Sequence, residues 1–198
     1  MRWKWLVVAT ALVLLAAACG GDDGGDDGAV RATSTTAASR PDPLGADPLP
    51  ASGAIPPGSY VANGMTPALR LDIPAGWESE VVATRAFTLT SDAASLTVIQ
   101  RSELVEELLE MMTGDGELSA GPVSDTTLSR VPAKRFDAVS PGVEILEGDH
   151  EVPAGVKVRI TVADVGAGRI IAIVEAPESS FDEAEPDATA IVDSIAFA

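Results

Sequence analysis

Along most of the chain, apolar and polar positions recur at spacings that change from segment to segment. Leu69-Arg70-Leu71-Asp72-Ile73 alternates strictly, which predicts a half-buried strand. Pro74-Ala75-Gly76 predicts a turn, followed by an extended stretch from Trp77 to Thr84. Phe87-Thr88-Leu89-Thr90 alternates again, residues 91–94 turn the chain, and Leu96 to Gln100 reads as a further strand, so the run predicts a meander. Then the period changes. Leu104, Val105, Leu108, Leu109 and Met112 share one face of a helix that Ser102 is expected to cap. Glu103, Glu106, Glu107 and Glu110 lie largely on the other face, and Thr113-Gly114 supplies a stop.

A loop is expected to Asp125, and strand character returns from Thr127 to Val139 with an interruption at Pro132. Residues 140–154 are rich in proline, glycine and acids and predict no element. Val156 to Val162 has the best period-two pattern in the chain. It is expected to pair with Arg169–Glu175 across the Gly-rich connection 164–168. The unbroken apolar run Ile170–Val174 predicts a central strand covered on both faces. Phe181, Ala184, Ala188, Ile191, Val192 and Ile195 recur near helical spacing, and Pro186 places the start of the regular helix near itself, in the first turn. Ser194 to Phe197 is expected to close the chain as a short edge strand. Residues 64–198 thus predict a single α+β globular domain, an antiparallel β-sheet packed with α-helices and long enough for a sizeable core.

The first 63 residues have no such pattern. Arg2 and Lys4 precede an apolar run from Leu6 to Leu15, and Ala16-Ala17-Ala18 leads to Cys19, the only cysteine. That order resembles bacterial lipoprotein precursors, although Ala16 stands where Leu is most usual. The resemblance implies a lipoprotein signal peptide over 1–18 and acyl chains on Cys19, which would become the mature N-terminus on the extracytoplasmic side of a cell membrane. An apolar run of about ten residues fits a signal peptide and is too short to span a bilayer. Residues 19–63, in which Cys19 is followed by GGDDGGDDG and later by PDPLGADPLPASGAIPPG, read as a lipid-anchored, disordered tether. Asp22, Asp23, Asp26 and Asp27 lack the ligand spacing of a calcium loop. Thr33-Ser34-Thr35-Thr36 reads as plain polar linker rather than a glycosylated stalk.

Charge and cysteine count narrow the chemistry. The formal net charge is −17, and loss of Arg2 and Lys4 with the leader makes it more negative by two. Such a surface repels a phosphate backbone, which argues against nucleic acid as a partner. With Cys19 lipidated no thiol is left for a disulfide, a metal or a nucleophile. His150 is the only histidine; no G-x-S-x-G elbow, zincin motif or Walker A loop occurs, and VGAGRII lacks the third glycine of a dinucleotide fingerprint. Glu147, Asp149, His150 and Glu151 are the densest group of potential metal ligands, weak candidates that read first as a solvated acidic loop. Carboxylate pairs have no diagnostic weight in a chain with 30 acids. Trp77, after its glycine turn, is expected in the core rather than as a carbohydrate platform. No cofactor is expected.

LRLDIPAGW, the meander, one amphipathic helix, the KVRITV hairpin and the ending FDEAEPDATAIVDSIAF together resemble the PsbP-like fold. Similar domains occur in lipid-anchored actinobacterial proteins, including mycobacterial Lpq-type lipoproteins. The resemblance covers roughly 67–198 and implies an antiparallel sheet sandwiched by helices, used for binding or assembly, with no catalytic residue to carry over. The expectation is therefore an exported binding or accessory protein of the cell envelope, not an enzyme. Its partners would be the membrane, through Cys19, and an envelope protein or lipid ligand. A carboxylate-based hydrolase of envelope polymers and a structural spacer are the alternatives.

Overall fold

A computed structural model of the protein describes residues 45–114, 118–146 and 150–197. Two sheets share one apolar core. The smaller contains β1 (Asp47–Pro48), β3 (Gly58–Ala62), β4 (Leu69–Ile73) and β15 (Ala196–Phe197), in the order β1-β3-β4-β15. The larger contains β2 (Ser52–Ile55), β5 (Trp77–Ala83), β6 (Ala86–Thr90), β7 (Ser95–Arg101), β14 (Arg169–Pro177), β13 (Val156–Asp164), β10 (Val131–Val139) and β8 (Ser119–Ala120), in that spatial order, and β9 (Ser124–Leu128) also pairs with β10. A separate ribbon joins β11 (Val143–Ile145) to β12 (His150–Val152). Among the described residues the helices are the minor part: α1 (Val105–Thr113) and α2 (Phe181–Ser194).

The two sheets are continuous through a proline corner. β2 pairs with β5 as far as Ile55 opposite Trp77, and β3 pairs with β4 from Gly58 opposite Ile73. Between those ladders lie Pro56-Pro57 on one strand and Pro74-Ala75-Gly76 on the other. Proline offers no N–H to a ladder, and Gly76 takes a φ of +90°, so the ribbon leaves one sheet and enters the other at this point.

Alternation sends each strand's side chains to opposite sides. Leu96, Val98, Ile170, Ala172 and Val174 face the smaller sheet and α2, whose Phe181, Ala184, Ala188 and Ile191 fill the space between. Ile99, Ile171, Ile173, Val158 and Ile160 face α1 and the ribbon, meeting Leu108, Met112, Ile145 and Val152. The Ile170–Val174 run is buried throughout, on a strand with neighbours on both edges and cover on both faces.

Several boundaries differ from the sequence expectation. Residues 45–63, read as the end of the tether, carry β1 to β3, and Ile55, Tyr60, Val61 and Ala62 are buried. Proline and glycine there mark a corner and sheet edges rather than disorder. α1 is not capped by Ser102: its first turn closes at Leu104, whose N–H donates to Glu107 Oε2 at 3.0 Å. α2 starts at Phe181, with Pro186 inside it. Phe181 is 1% exposed, and its ring lies 4.6 Å from Lys157 Nζ, so packing of the first turn outweighs the bond lost at Pro186.

Thr127–Val139 is not one interrupted strand. It belongs to a hairpin in which Leu128 pairs with Val131 and Pro132 sits in β10 against the edge strand β9. The two turn residues, Ser129 and Arg130, have φ of 51° and 69°, the signs of a type I′ turn built without glycine or asparagine. The paired replacement Ser129→Asn with Arg130→Gly is expected to raise stability by about 0.5–1 kcal/mol, a Tm gain of roughly 1–4 °C by calorimetry. An unchanged or lower Tm would refute the turn assignment.

Candidate functional site

The chain enters the described fold at Gly45 and at once bridges the two sheets. Leu49 N–H donates to the Val61 carbonyl at 2.9 Å, on the smaller sheet. Ser79 Oγ donates to the Pro50 carbonyl at 2.8 Å and Val81 N–H to the Ala51 carbonyl at 2.8 Å, both on the larger sheet. Residues 48–51, the end of β3 with the loop after it, and the β5–β6 hairpin thereby enclose a cleft of about 310 Å³. Leu49, Val61, Met65, Val81 and Phe87 are the bulky apolar residues of its lining, and none of the lining residues carries a carboxylate, imidazole, amine or thiol.

The loop beneath the cleft is held from the core. Gln100 of β7 is 5% exposed; its Oε1 accepts the Thr66 N–H at 2.9 Å and its Nε2 donates to the Thr66 carbonyl. On the opposite wall β5 has an irregular register between Glu80 and Ala83. Within that irregularity Val81 and Val82 stand 42% and 62% exposed, unusual for consecutive valines. A second depression lies at the other end of the β2–β5 edge, lined by Glu78, Thr90, Ser91 and Asp92 beside Trp77. Trp77 itself is 3% exposed, so its ring is core and offers no platform.

The acidic stretch read as a weak metal candidate is divided by the structure. Glu147 and Asp149 lie outside the described residues, as does Cys19. His150 and Glu151 point to opposite sides of the ribbon. Glu151 stands exposed opposite Glu144, whereas His150 lies on the side of Ile145 and Val152 and meets Glu175 of β14. Glu175 is 9% exposed, so this contact fastens the ribbon to the sheet. Among the described residues no group of three or more His, Cys, Asp or Glu is arranged to hold a metal, and no helix is long and apolar enough to cross a membrane.

Two further charged groups belong to the fold. Arg101 binds Glu103 through Nε at 3.1 Å and Nη2 at 2.6 Å, and its Nη1 donates to the Leu146 carbonyl at 3.4 Å. The Arg101 guanidinium holds the Glu103 carboxyl down to about 2 from an ordinary 4.5, helped by backbone N–H donors and opposed by burial. Because the folded pKa is depressed, the contribution is complete above about pH 4.5 and is lost as pH falls toward 2. Glu103→Gln is expected to cost about 1 kcal/mol at pH 7, with wild type and variant converging near pH 2–3 in urea titrations. A gap that persists there would show that the ion pair is not its cause.

The second group joins β10, β13 and α2. Arg159 binds Asp137 through Nε–Oδ1 at 2.8 Å and Nη2–Oδ2 at 2.9 Å, and its Nη1 meets Glu185 Oε1, which also accepts the Thr189 hydroxyl. Asp137 is held below the usual carboxylate range by that guanidinium, and Arg159 is pushed further up by the same pairing.

No protein-family model matches the chain, and no curated protein matches it. Among solved structures, the chain is similar to the solution structure of cyanobacterial PsbP (CyanoP) from Synechocystis sp. PCC 6803, at a TM-score of 0.47 and 11% identity, over 68% of this chain and 89% of that one. The likeness is distant and concerns the fold alone.

One side of the cleft is not legible in the sequence, because Pro48, Leu49, Ala51, Val61, Ala62 and Asn63 fall in the stretch that reads as tether. The available signal was Ile55 with Tyr60-Val61, three bulky apolar residues within seven positions of an otherwise small-residue stretch.

Proposed function

We propose that the protein is an exported, lipid-anchored binding protein of the cell envelope, with Cys19 as the acylated residue and the inter-sheet cleft as the site of an apolar ligand. The observation that carries binding over chemistry is the cleft's lining, which brings apolar side chains together and supplies no titratable group. Hydrolysis by paired acids or by a nucleophile with its base needs such groups at the ligand. The carboxylates of Glu103 and Asp137 are instead fastened to arginines. The leader pattern over 1–19 supports the anchor and the extracytoplasmic location. The phrases LRLDIPAGW and IVDSI and the element order support a PsbP-like, Lpq-type lipoprotein, and the formal charge of −17 supports a partner other than nucleic acid.

Native mass spectrometry of the full chain, extracted gently from its own membranes, tests this reading. A reproducible added mass beyond the acyl chains of Cys19 is expected, and it should disappear when Ala62→Trp fills the cleft. Protein that repeatedly carries nothing, or an added mass indifferent to that substitution, would overturn the assignment of the site.

A further inference from the structure

We infer that the cleft takes an acyl chain from a phospholipid of the bilayer to which the protein is anchored, with the β5–β6 hairpin tip as the part that meets the membrane. The inference rests on the anchored binding reading above and names the source of its ligand. Three observations converge on one edge of the domain. The chain arrives from Cys19 at Gly45, and the next residues, Pro48, Leu49 and Ala51, form one wall of the cleft. The 25 residues from Gly20 to Leu44 can span no more than about 90 Å, which keeps this edge within reach of the bilayer that holds the anchor.

Beside the cleft, Val81 and Val82 present exposed apolar surface on a hairpin whose tip, Thr84-Arg85, is exposed and carries a cation. Arg85 suits a headgroup phosphate, in a protein whose charge is otherwise strongly negative. Inside, the volume of about 310 Å³ lies at the small end of the range for ligand sites, and its lining offers an alkyl chain apolar contacts without a charged partner. A soluble polar metabolite would find no such partner either, whereas the hydrocarbon of the neighbouring bilayer needs none.

The test uses the full lipidated chain in phosphatidylcholine vesicles containing a phospholipid with a diazirine on one acyl chain. Photolysis and peptide mapping are expected to place label on segments 48–51 and 81–87. Val82→Asp and Ala83→Trp, both at exposed positions, are each expected to lower that label about tenfold while the Tm stays within a few degrees. Label spread evenly over the domain, or unchanged in both variants, would overturn the inference. Intact mass reports the acyl chains on Cys19 separately, so even labelling of a lipidated protein defeats this inference and leaves the anchor standing. Protein without that mass defeats the anchor. It is then held on nickel-chelating vesicles by an N-terminal His tag, where the same two segments must still be labelled for the inference to survive.

Discussion

Arg159→Met is expected to cost about 2–4 kcal/mol at pH 7, a fall in Tm of roughly 5–12 °C. The Arg159 side chain is 25% exposed, and its guanidinium stands between Asp137 on β10 and Glu185 on α2, with side chains 36% and 15% exposed. Methionine retains much of the aliphatic stem's packing and removes the charge, leaving two carboxylates on neighbouring elements with no cation between them. Removing one partner of a largely buried pair costs more than the pair contributes, because the remaining charge stays desolvated. Here two remain, and they repel each other. The helix they hold supplies Phe181, Ala188 and Ile191 to the core, so loosening it exposes apolar surface as well.

The pH dependence separates this from a packing defect. Asp137 has its pKa lowered from an ordinary 3.8, first by the hydrogen bond from Arg159. A depressed carboxylate stabilises the fold above its unfolded pKa and loses that contribution as pH falls through its folded one. The gap between wild type and Arg159→Met should therefore be full at pH 6 and shrink below about pH 4, where the orphaned Asp137 can protonate. Asp137→Asn alone should cost less, since Arg159 keeps Glu185. Urea unfolding of both single variants and the double variant forms a cycle whose coupling energy should exceed 1 kcal/mol. Strict additivity, or a gap independent of pH, would exclude the ionic explanation.

This network illustrates what the sequence carried and what it did not. Period-two alternation in LRLDI and KVRITV identifies β4 and β13, and the unbroken apolar run marks β14 as central, because a strand's burial is written in its own residues. Arg159, Asp137 and Glu185 meet only because β10 and β13 pair with Asp137 opposite Arg159 while α2 lies across them, a juxtaposition that no local pattern encodes. The same holds for His150, whose acidic neighbours suggest a metal loop and whose partner comes from a strand 25 positions away. Local signals also misled where a strong one met a tertiary constraint. Pro186 reads as a helix start, yet the buried Phe181 and Ala184 extend the helix ahead of it. The proline-rich residues 47–62 read as tether, yet they supply three strands through edge positions and a corner that tolerate proline. The cleft depends on that misread segment for one wall.

Gly64→Ala is expected to cost about 3 kcal/mol and to abolish ligand retention in the cleft. Gly64 lies in the loop after β3, and a Cβ there would sit 1.9 Å from the Thr84 carbonyl oxygen and 3.0 Å from its carbon. Both sides of this approach are backbone, so no side chain can swing away to relieve it. The loop cannot retreat freely either: two residues on, Thr66 is held at its N–H and its carbonyl by the buried Gln100 side chain. Thr84 for its part lies at the turn of a hairpin paired on both sides of it, with Ala83 opposite Ala86. The added methyl must therefore part the loop from the hairpin, and those are two walls of the cleft. Gly58→Ala supplies the control. Its Cβ would meet only the Tyr60 ring, at 3.7 Å or more, an ordinary contact, so its stability should stay within about 0.5 kcal/mol of wild type. Thermal unfolding ranks the two substitutions, and native mass spectrometry below the lower Tm reads ligand retention in each. If Gly64→Ala matched Gly58→Ala in stability, the close approach of the two backbones would be refuted. If it were destabilised yet kept the ligand in full, the ligand would have to bind elsewhere than between these walls.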